Sequence, residues 1–256
     1  IMALAIISMA IGFVGCKKEK EKEKENNTVS INYEGIGKLH NLMCEEIVNK
    51  KGLRDEDNNT STADVLEWIK ICETVAKQNT TEDSDSIHNQ ANDIATFFTS
   101  IGNDEYGCNR LFSELIYSEN EIRKMLQESG CTKELEESII LLYNNCFEED
   151  DAKKATSTLR KQIEEQPDSP QKYVFLDVYS NSKTFWESQQ KSNSKEAHIP
   201  FGLDCDEWCM VTDAIGGTAG IWGGVIGGAI MGAIFSVGTH KACKKMGLIP
   251  NNQTNS

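Results

Sequence analysis

The sequence is short of the residues and motifs from which most enzyme sites are built. It contains four histidines among 256 residues, and no catalytic motif surrounds any of them. It has no Gly-x-Ser-x-Gly, no His-Glu-x-x-His, no phosphate-binding loop and no dinucleotide fingerprint. It also has no Cys-x-x-Cys, which argues against a zinc ribbon or a thioredoxin-type motif. We therefore expect a protein that is not an enzyme and that carries no cofactor or metal. His40 lies beside Leu39 on a predicted helix, and we expect it at the surface or at a boundary.

Basic residues are also scarce, with 26 Lys and Arg against 40 Asp and Glu and a net charge of −14. A chain this acidic is unlike a general nucleic-acid binder, so we expect no nucleic-acid partner. Apolar residues make up 39% of the chain and charged residues 26%, which is typical of a folded protein. The length allows one large or two small domains with a sizeable core.

The first 15 residues are uncharged and apolar, and Cys16 follows them directly. Such a run is typical of the hydrophobic region of a signal peptide and is too short to span a bilayer alone. The usual basic region is missing and the chain opens with Ile1. Either Met2 is the true start or the sequence is an N-terminal fragment, and we favour the fragment. The segment Phe13-Val14-Gly15-Cys16 resembles a relaxed bacterial lipobox, with Phe13 where that family usually has Leu. The resemblance implies that Cys16 is acylated, by palmitate among other chains, and becomes the mature N-terminus.

Residues 16–30 form a predicted tether after the signal peptide. Residues 17–25 alternate lysine and glutamate without one apolar side chain, so they have nothing to bury. They resemble the charged tethers that follow the lipidated cysteine in bacterial lipoproteins. An acidic body is repelled by anionic headgroups, so the acyl chains, not charge, would hold the protein at the membrane.

Residues 31–200 have a helical period almost throughout, which predicts an all-α domain built as a multi-helix bundle or array. Ser61 with Asp64 predicts a capping box, and Ser169 before Pro170 predicts another helix start. The segment from Asn32 to Asn41 resembles the start of the first helix in a family of uncharacterised bacterial lipoproteins. Those proteins also end in a small-residue apolar tail, and the resemblance implies no activity.

Residues 201–213 form a predicted linker that contains Cys205 and Cys209. Exported proteins meet an oxidising compartment, so these two cysteines are candidates for a disulfide. A metal site there lacks a fourth ligand at a suitable spacing, and we predict none. Other cysteines lie on apolar stripes, where a free thiol serves as a small hydrophobic side chain.

Residues 214–239 carry no charge over 26 positions, and a polar tail, residues 240–256, follows them. As one helix the segment would be about 39 Å long, which is enough for the hydrocarbon core. Glycine recurs every fourth residue and bulky residues recur on the opposite face, as in the glycine zippers of small envelope lipoproteins and some pore-forming bacteriocins. Glycine is unfavourable in a lone helix, so another helix must pack on this face. The zipper positions are Gly216, Gly220, Gly224, Gly228 and Gly232.

Three placements of this segment remain open: a membrane-inserted helix, a hairpin buried against the body, and an oligomeric pore. Acidic residues before it and lysines after it favour insertion with the C-terminus in the cytoplasm. The sequence as a whole predicts a lipid-anchored protein of the bacterial cell envelope, at the outer membrane or cell surface rather than the inner membrane. Its function would be that of a binding or structural module, with homo-oligomers possible through the glycine face. The alternative is an antagonistic or pore-forming factor that inserts its glycine-zipper tail into membranes.

Overall fold

The structure is a computed structural model, and it describes residues 33, 35–51, 60–101, 112, 119–145, 152–192 and 205–245. Within these ranges the chain forms α-helices and no strand, so the predicted all-α class is confirmed. The helices are α1 (Ile36–Lys51), α2 (Thr62–Asn79), α3 (Ser84–Ile101), α4 (Glu119–Glu128), α5 (Lys133–Asn145), α6 (Ala152–Glu164), α7 (Pro170–Ser192), α8 (Cys205–Ala219) and α9 (Val225–Lys245).

The helix starts that the sequence predicts are formed by local hydrogen bonds. The Ser61 hydroxyl accepts from the Asp64 amide at 3.2 Å, and the Asp64 carboxylate accepts from the Ser61 amide at 2.8 Å. This reciprocal pair is a capping box, and it satisfies two amides at the start of α2. At α7 the Ser169 hydroxyl accepts from the Lys172 amide at 3.1 Å, and Pro170 is the first helical residue. Both predictions are confirmed.

The segment 214–239 is not one continuous helix. Helix α8 ends at Ala219, a short 3₁₀ turn covers Gly220–Gly223, and α9 begins at Val225. Gly224 joins them with φ of +102° and ψ of −179°, a conformation that is essentially restricted to glycine. The chain therefore reverses at one of the five zipper glycines, and α8 and α9 form an antiparallel hairpin.

This hairpin is the centre of the fold. Helix α9 packs on α8 and is also in contact with α1, α2 and α3. Helix α7 packs on both α1 and α8. Ile226, Ile230 and Ile234 are each at most 1% exposed, so the bulky face of α9 is buried as completely as its glycine face. A hairpin returns the chain to the side from which it entered, so the charge asymmetry of its flanks does not indicate a crossing.

Candidate functional site

Several zipper glycines lie where α9 closely approaches α8 and the 3₁₀ turn. A Cβ added at Gly220 would lie 2.5 Å from Cβ of Met231 and 2.7 Å from the Gly227 carbonyl oxygen. A Cβ at Gly228 would lie 2.9 Å from the Gly217 carbonyl oxygen. Only hydrogen fits at these positions, because real Cβ atoms do not approach other heavy atoms so closely. The repeated glycines therefore bring two backbones of the same chain together.

The remaining zipper positions have related roles. A Cβ at Gly216 would meet the ring of Phe235 at 2.7 Å, and one at Gly232 would lie 3.1 Å from both the Asp213 carbonyl oxygen and the His40 ring. Gly224 instead provides the turn. Gly216, Gly228 and Gly232 are thus at the contact between α8 and its neighbours, Gly220 packs the 3₁₀ turn on α9, and Gly224 reverses the chain.

A buried polar cluster lies where the hairpin meets α7. The Oδ2 atom of Asp213, on α8, accepts hydrogen bonds from Ser182 Oγ, from Trp186 Nε1 at 3.2 Å and from Ser236 Oγ at 2.9 Å. Ser182 and Trp186 belong to α7, whereas Ser236 belongs to α9. Asp213 is fully buried, and its other oxygen, Oδ1, has no hydrogen-bond partner among the described residues. One carboxyl oxygen thereby connects three helices.

Helix α1 adds a histidine to this cluster. The Nε2 atom of His40 lies 3.7 Å from Asp213 Oδ2 and 3.5 Å from Sγ of Cys44. On its other side the ring contacts Asn41 through Nδ1, at 2.9 Å from Oδ1, and Asn41 donates to the Asn181 carbonyl at 2.8 Å. His40 is completely buried, so the expectation that it lies at the surface is wrong.

Burial dominates the electrostatics of the cluster. It raises the pKa of Asp213 to about 7, against the opposing effect of hydrogen bonds from Ser182, Trp186 and Ser236. It lowers the pKa of His40 to about 4, although hydrogen bonds to Asn41 and the Gly232 backbone favour the charged ring. It also raises the pKa of the Cys44 thiol well above its ordinary value. All three shifts favour uncharged groups, as expected where water is excluded.

A cysteine, a histidine and an aspartate together invite comparison with a nucleophilic triad, but the geometry differs. In a triad the nucleophile and the orienting carboxylate contact opposite nitrogens of the imidazole, which is the base. Here Cys44 and Asp213 both approach Nε2, while Nδ1 contacts Asn41. The raised pKa of the thiol also disfavours the thiolate that a nucleophile needs. The arrangement is suited to fastening helices together rather than to acyl transfer.

The other predicted site residues are three cysteines. Cys16 lies outside the described residues. Cys205 and Cys209 both belong to α8, where Cys209 is buried and the side chain of Cys205 is outside the description, so their pairing stays a prediction. Cys44 and Cys72 are buried free thiols, and Cys243 is disulfide-bonded. In the described part of the chain, no group of three His, Cys, Asp or Glu side chains could hold a metal ion.

Sequence reasoning missed the polar cluster, although two signals point toward it. Asp213 is the last charge before the 26 uncharged residues, and Ser236 is a hydroxyl near their end. On α1, His40 falls between Ile36 and Cys44 at helical spacing, on the stripe that is buried. Neither signal says that these groups meet, because they lie far apart along the chain.

One described helix is long and apolar enough to cross a membrane, by length and composition alone. It is the part of α9 from Val225 to Cys243, and 89% of that stretch is buried inside the protein. The hairpin tip is more accessible, since Trp222 is 46% exposed and lies 6.3 Å from the ring of Phe97 on α3, centroid to centroid.

Comparison with known proteins gave no match to a protein-family model, to a curated protein or to a solved structure.

Proposed function

We propose that the chain is a lipid-anchored cell-envelope protein whose helical domain acts as a binding or structural module. The observation that supports this best is the burial of the glycine-rich hairpin inside the domain. Its apolar surface is covered by α1, α2, α3 and α7, so the domain needs no bilayer around it. Attachment then falls to acyl chains on Cys16, and the charged residues 17–25 separate the domain from the membrane.

The proposal places the protein at the outer membrane or cell surface rather than the inner membrane. It includes no catalytic step and no nucleic-acid partner, in keeping with the net charge of −14. Self-association through the glycine face is not needed to explain the zipper, since α9 occupies that face within the same chain. The binding partner of the module would contact the outer surfaces of the amphipathic helices.

Cell fractionation with metabolic acyl labelling tests the anchor. The wild-type protein should be labelled and should sediment with envelope membranes, whereas Cys16→Ala should not be labelled. The Cys16→Ala variant keeps its apolar leader, which can itself hold the chain in the membrane. A second variant therefore has residues 1–16 replaced by a cleavable secretory leader. That form should be soluble after export. A wild-type protein found soluble in the cytoplasm, or a leader-exchanged form still in the membrane pellet, would contradict the proposal.

A second candidate function is membrane insertion by the hairpin, as in an antagonistic or pore-forming factor. Two observations favour it: α9 contains a stretch of spanning length, and the hairpin is enclosed by amphipathic helices that could open. The exposed Trp222 at the tip would reach a bilayer first, and tryptophan favours the membrane interface. Insertion would require the hairpin to leave its contacts with α1 and α7.

An engineered disulfide distinguishes the two functions. A Cβ at Gly217 would lie 3.5 Å from Cβ of Val178, which is within the range for a disulfide. The double variant Val178→Cys, Gly217→Cys should therefore lock α8 onto α7 when oxidised. A pore-forming protein would release dye from liposomes only after reduction of the lock. The wild type with and without reductant controls for the native disulfide of Cys243. Absence of release in every state excludes pore formation under those conditions and favours the module.

A further inference from the structure

Asp213 and His40 are two ionisable side chains that meet in a part of the core from which solvent is excluded. Both are completely buried, and Asp213 Oδ2 lies 3.7 Å from His40 Nε2. We infer that the two residues hold one proton between them in the folded protein, on the Asp213 carboxyl, and that this uncharged pair fastens the hairpin to α1 and α7. The inference does not depend on how the protein is anchored.

The contacts of Asp213 argue for a neutral carboxyl. Among the described residues, its ion-pair contacts are limited to His40, and no Lys or Arg nitrogen lies within 4 Å of it. All described hydrogen bonds are made at Oδ2, while the equally buried Oδ1 makes none. A buried carboxylate would need its full set of acceptor sites satisfied. A hydroxyl can accept a hydrogen bond as well as donate one, so Ser182 or Ser236 can also accept a hydrogen bond from the protonated carboxyl.

The two cysteines around the pair do not supply a charge in the acidic range. Cys44 on α1 and Cys72 on α2 both have thiol pKa values raised by burial, so they stay protonated. From α7 the cluster receives Ser182 and Trp186, which do not titrate. From α9 it receives Ser236, and His240, a further titratable side chain, stacks on Trp186 at 4.7 Å between ring centroids.

The shifted pKa values support the same proton count. In the folded protein Asp213 has a pKa of about 7 and His40 of about 4, so between these values the proton is on Asp213. In the unfolded chain the ordinary values are 3.8 and 6.5, so the proton is on His40. Folding moves this proton from one residue to the other without uptake or release. Stability attributable to the pair is therefore independent of pH from about 4.5 to 6.

The two single substitutions should make stability depend on pH in opposite directions. In Asp213→Asn only His40 remains, and its lowered pKa means that the unfolded state binds the extra proton, so stability is lost as pH falls. In His40→Gln only Asp213 remains, and its raised pKa means that the folded state binds the extra proton, so stability is lost as pH rises. The double variant should again follow the wild type.

The test is urea unfolding of the full-length chain, purified from membranes in a non-ionic detergent, at pH 4.5, 5.25 and 6. Tryptophan fluorescence reports unfolding, since Trp68, Trp186 and Trp208 are buried. Relative to the wild type, the folding constant of Asp213→Asn should decrease about tenfold per unit of acidification. That of His40→Gln should decrease about tenfold per unit of rising pH. Four parallel pH profiles, or slopes of the opposite sign, would overturn the inference.

The position of the proton is tested separately on the wild-type chain. This measurement does not require any variant to fold. The ¹⁵N chemical shifts of the His40 ring at pH 5.5 distinguish a neutral imidazole, with one bare nitrogen, from an imidazolium. We expect the neutral ring. An imidazolium signal would mean that Asp213 and His40 form a buried ion pair, and it would overturn the neutral pair.

Discussion

In the described part of the chain, two helical hairpins each turn through a glycine with positive φ and are held together differently. Helices α4 and α5 are joined through Gly130, which has φ of +82°, and α8 and α9 are joined through Gly224, which has φ of +102°. The α4–α5 hairpin is partly exposed and is linked by Arg123, which contacts Glu119, Glu136 and Glu137. The α8–α9 hairpin is buried, and its backbones touch at glycines. Side-chain contacts can adjust to change, whereas contacts between backbones cannot, so we expect the second hairpin to be far less tolerant of substitution.

The largest effect should come from filling the contact between the 3₁₀ turn and α9. In Gly220→Leu the new side chain must displace Met231 and the Gly227 carbonyl, so we expect a loss of about 3 kcal/mol or more in the free energy of unfolding. Urea unfolding measures it. Gly223→Ala is the matched control, because a Cβ there would meet its nearest atom, Ile94 Cδ1, at an ordinary 3.5 Å. Equal stability of the two variants would show that the close approach is absent.

The two turn glycines offer a direct comparison. Gly130→Ala should cost about 1–2 kcal/mol, since its positive φ is strained for alanine and its nearest neighbour is the flexible end of Gln171. Gly224→Ala should cost more than Gly130→Ala, because its Cβ would also collide with Gln90 and its backbone conformation is essentially restricted to glycine. Thermal unfolding of both variants checks the order. The reverse order would contradict the turn assigned at Gly224.

The start of α9 depends on a side chain from another helix. Gln90 Oε1, on α3, accepts from the amides of Ile226 at 2.9 Å and Gly227 at 3.1 Å, as a capping residue would. Gln90→Ala leaves both amides without this acceptor and should cost about 1 kcal/mol. Asn89→Ala, an exposed neighbour on the same helix, should be nearly silent. Faster hydrogen exchange at Ile226 in the first variant only would confirm the cap.

The smallest effect should be found in the α4–α5 hairpin. Arg123 is about a quarter exposed, and two of its three carboxylate partners, Glu119 and Glu137, are largely exposed. Water and salt screen such pairs, so Arg123→Gln should cost about 0.5–1 kcal/mol and the cost should shrink in high salt. A loss as large as that of Gly220→Leu would show that the two hairpins do not differ as described.

The parts of the fold that depend on neighbouring residues could be predicted from the sequence, and the parts that depend on distant ones could not. Ser61 and Asp64 are three residues apart, so their capping box is visible as a pattern and the structure contains it. Glycine every fourth residue predicts a close helix contact, which is also found. The same spacing hides the reversal at Gly224, because a turn glycine and a packing glycine look alike in a sequence. The meeting of His40 with Asp213 depends on how α1 packs on the hairpin, which local periodicity does not encode.

The most direct test of the buried hairpin is hydrogen exchange along α9 in protein without lipid. The protein would be exported behind a cleavable leader that replaces residues 1–16, and exchange would be followed with and without liposomes. We predict that the amides of Ile230 and Ile234 exchange as slowly as those of the buried face of α1, and that liposomes do not change this. Rapid exchange in buffer that becomes slow only when liposomes are added would mean that α9 is completed by a membrane, and it would contradict the account.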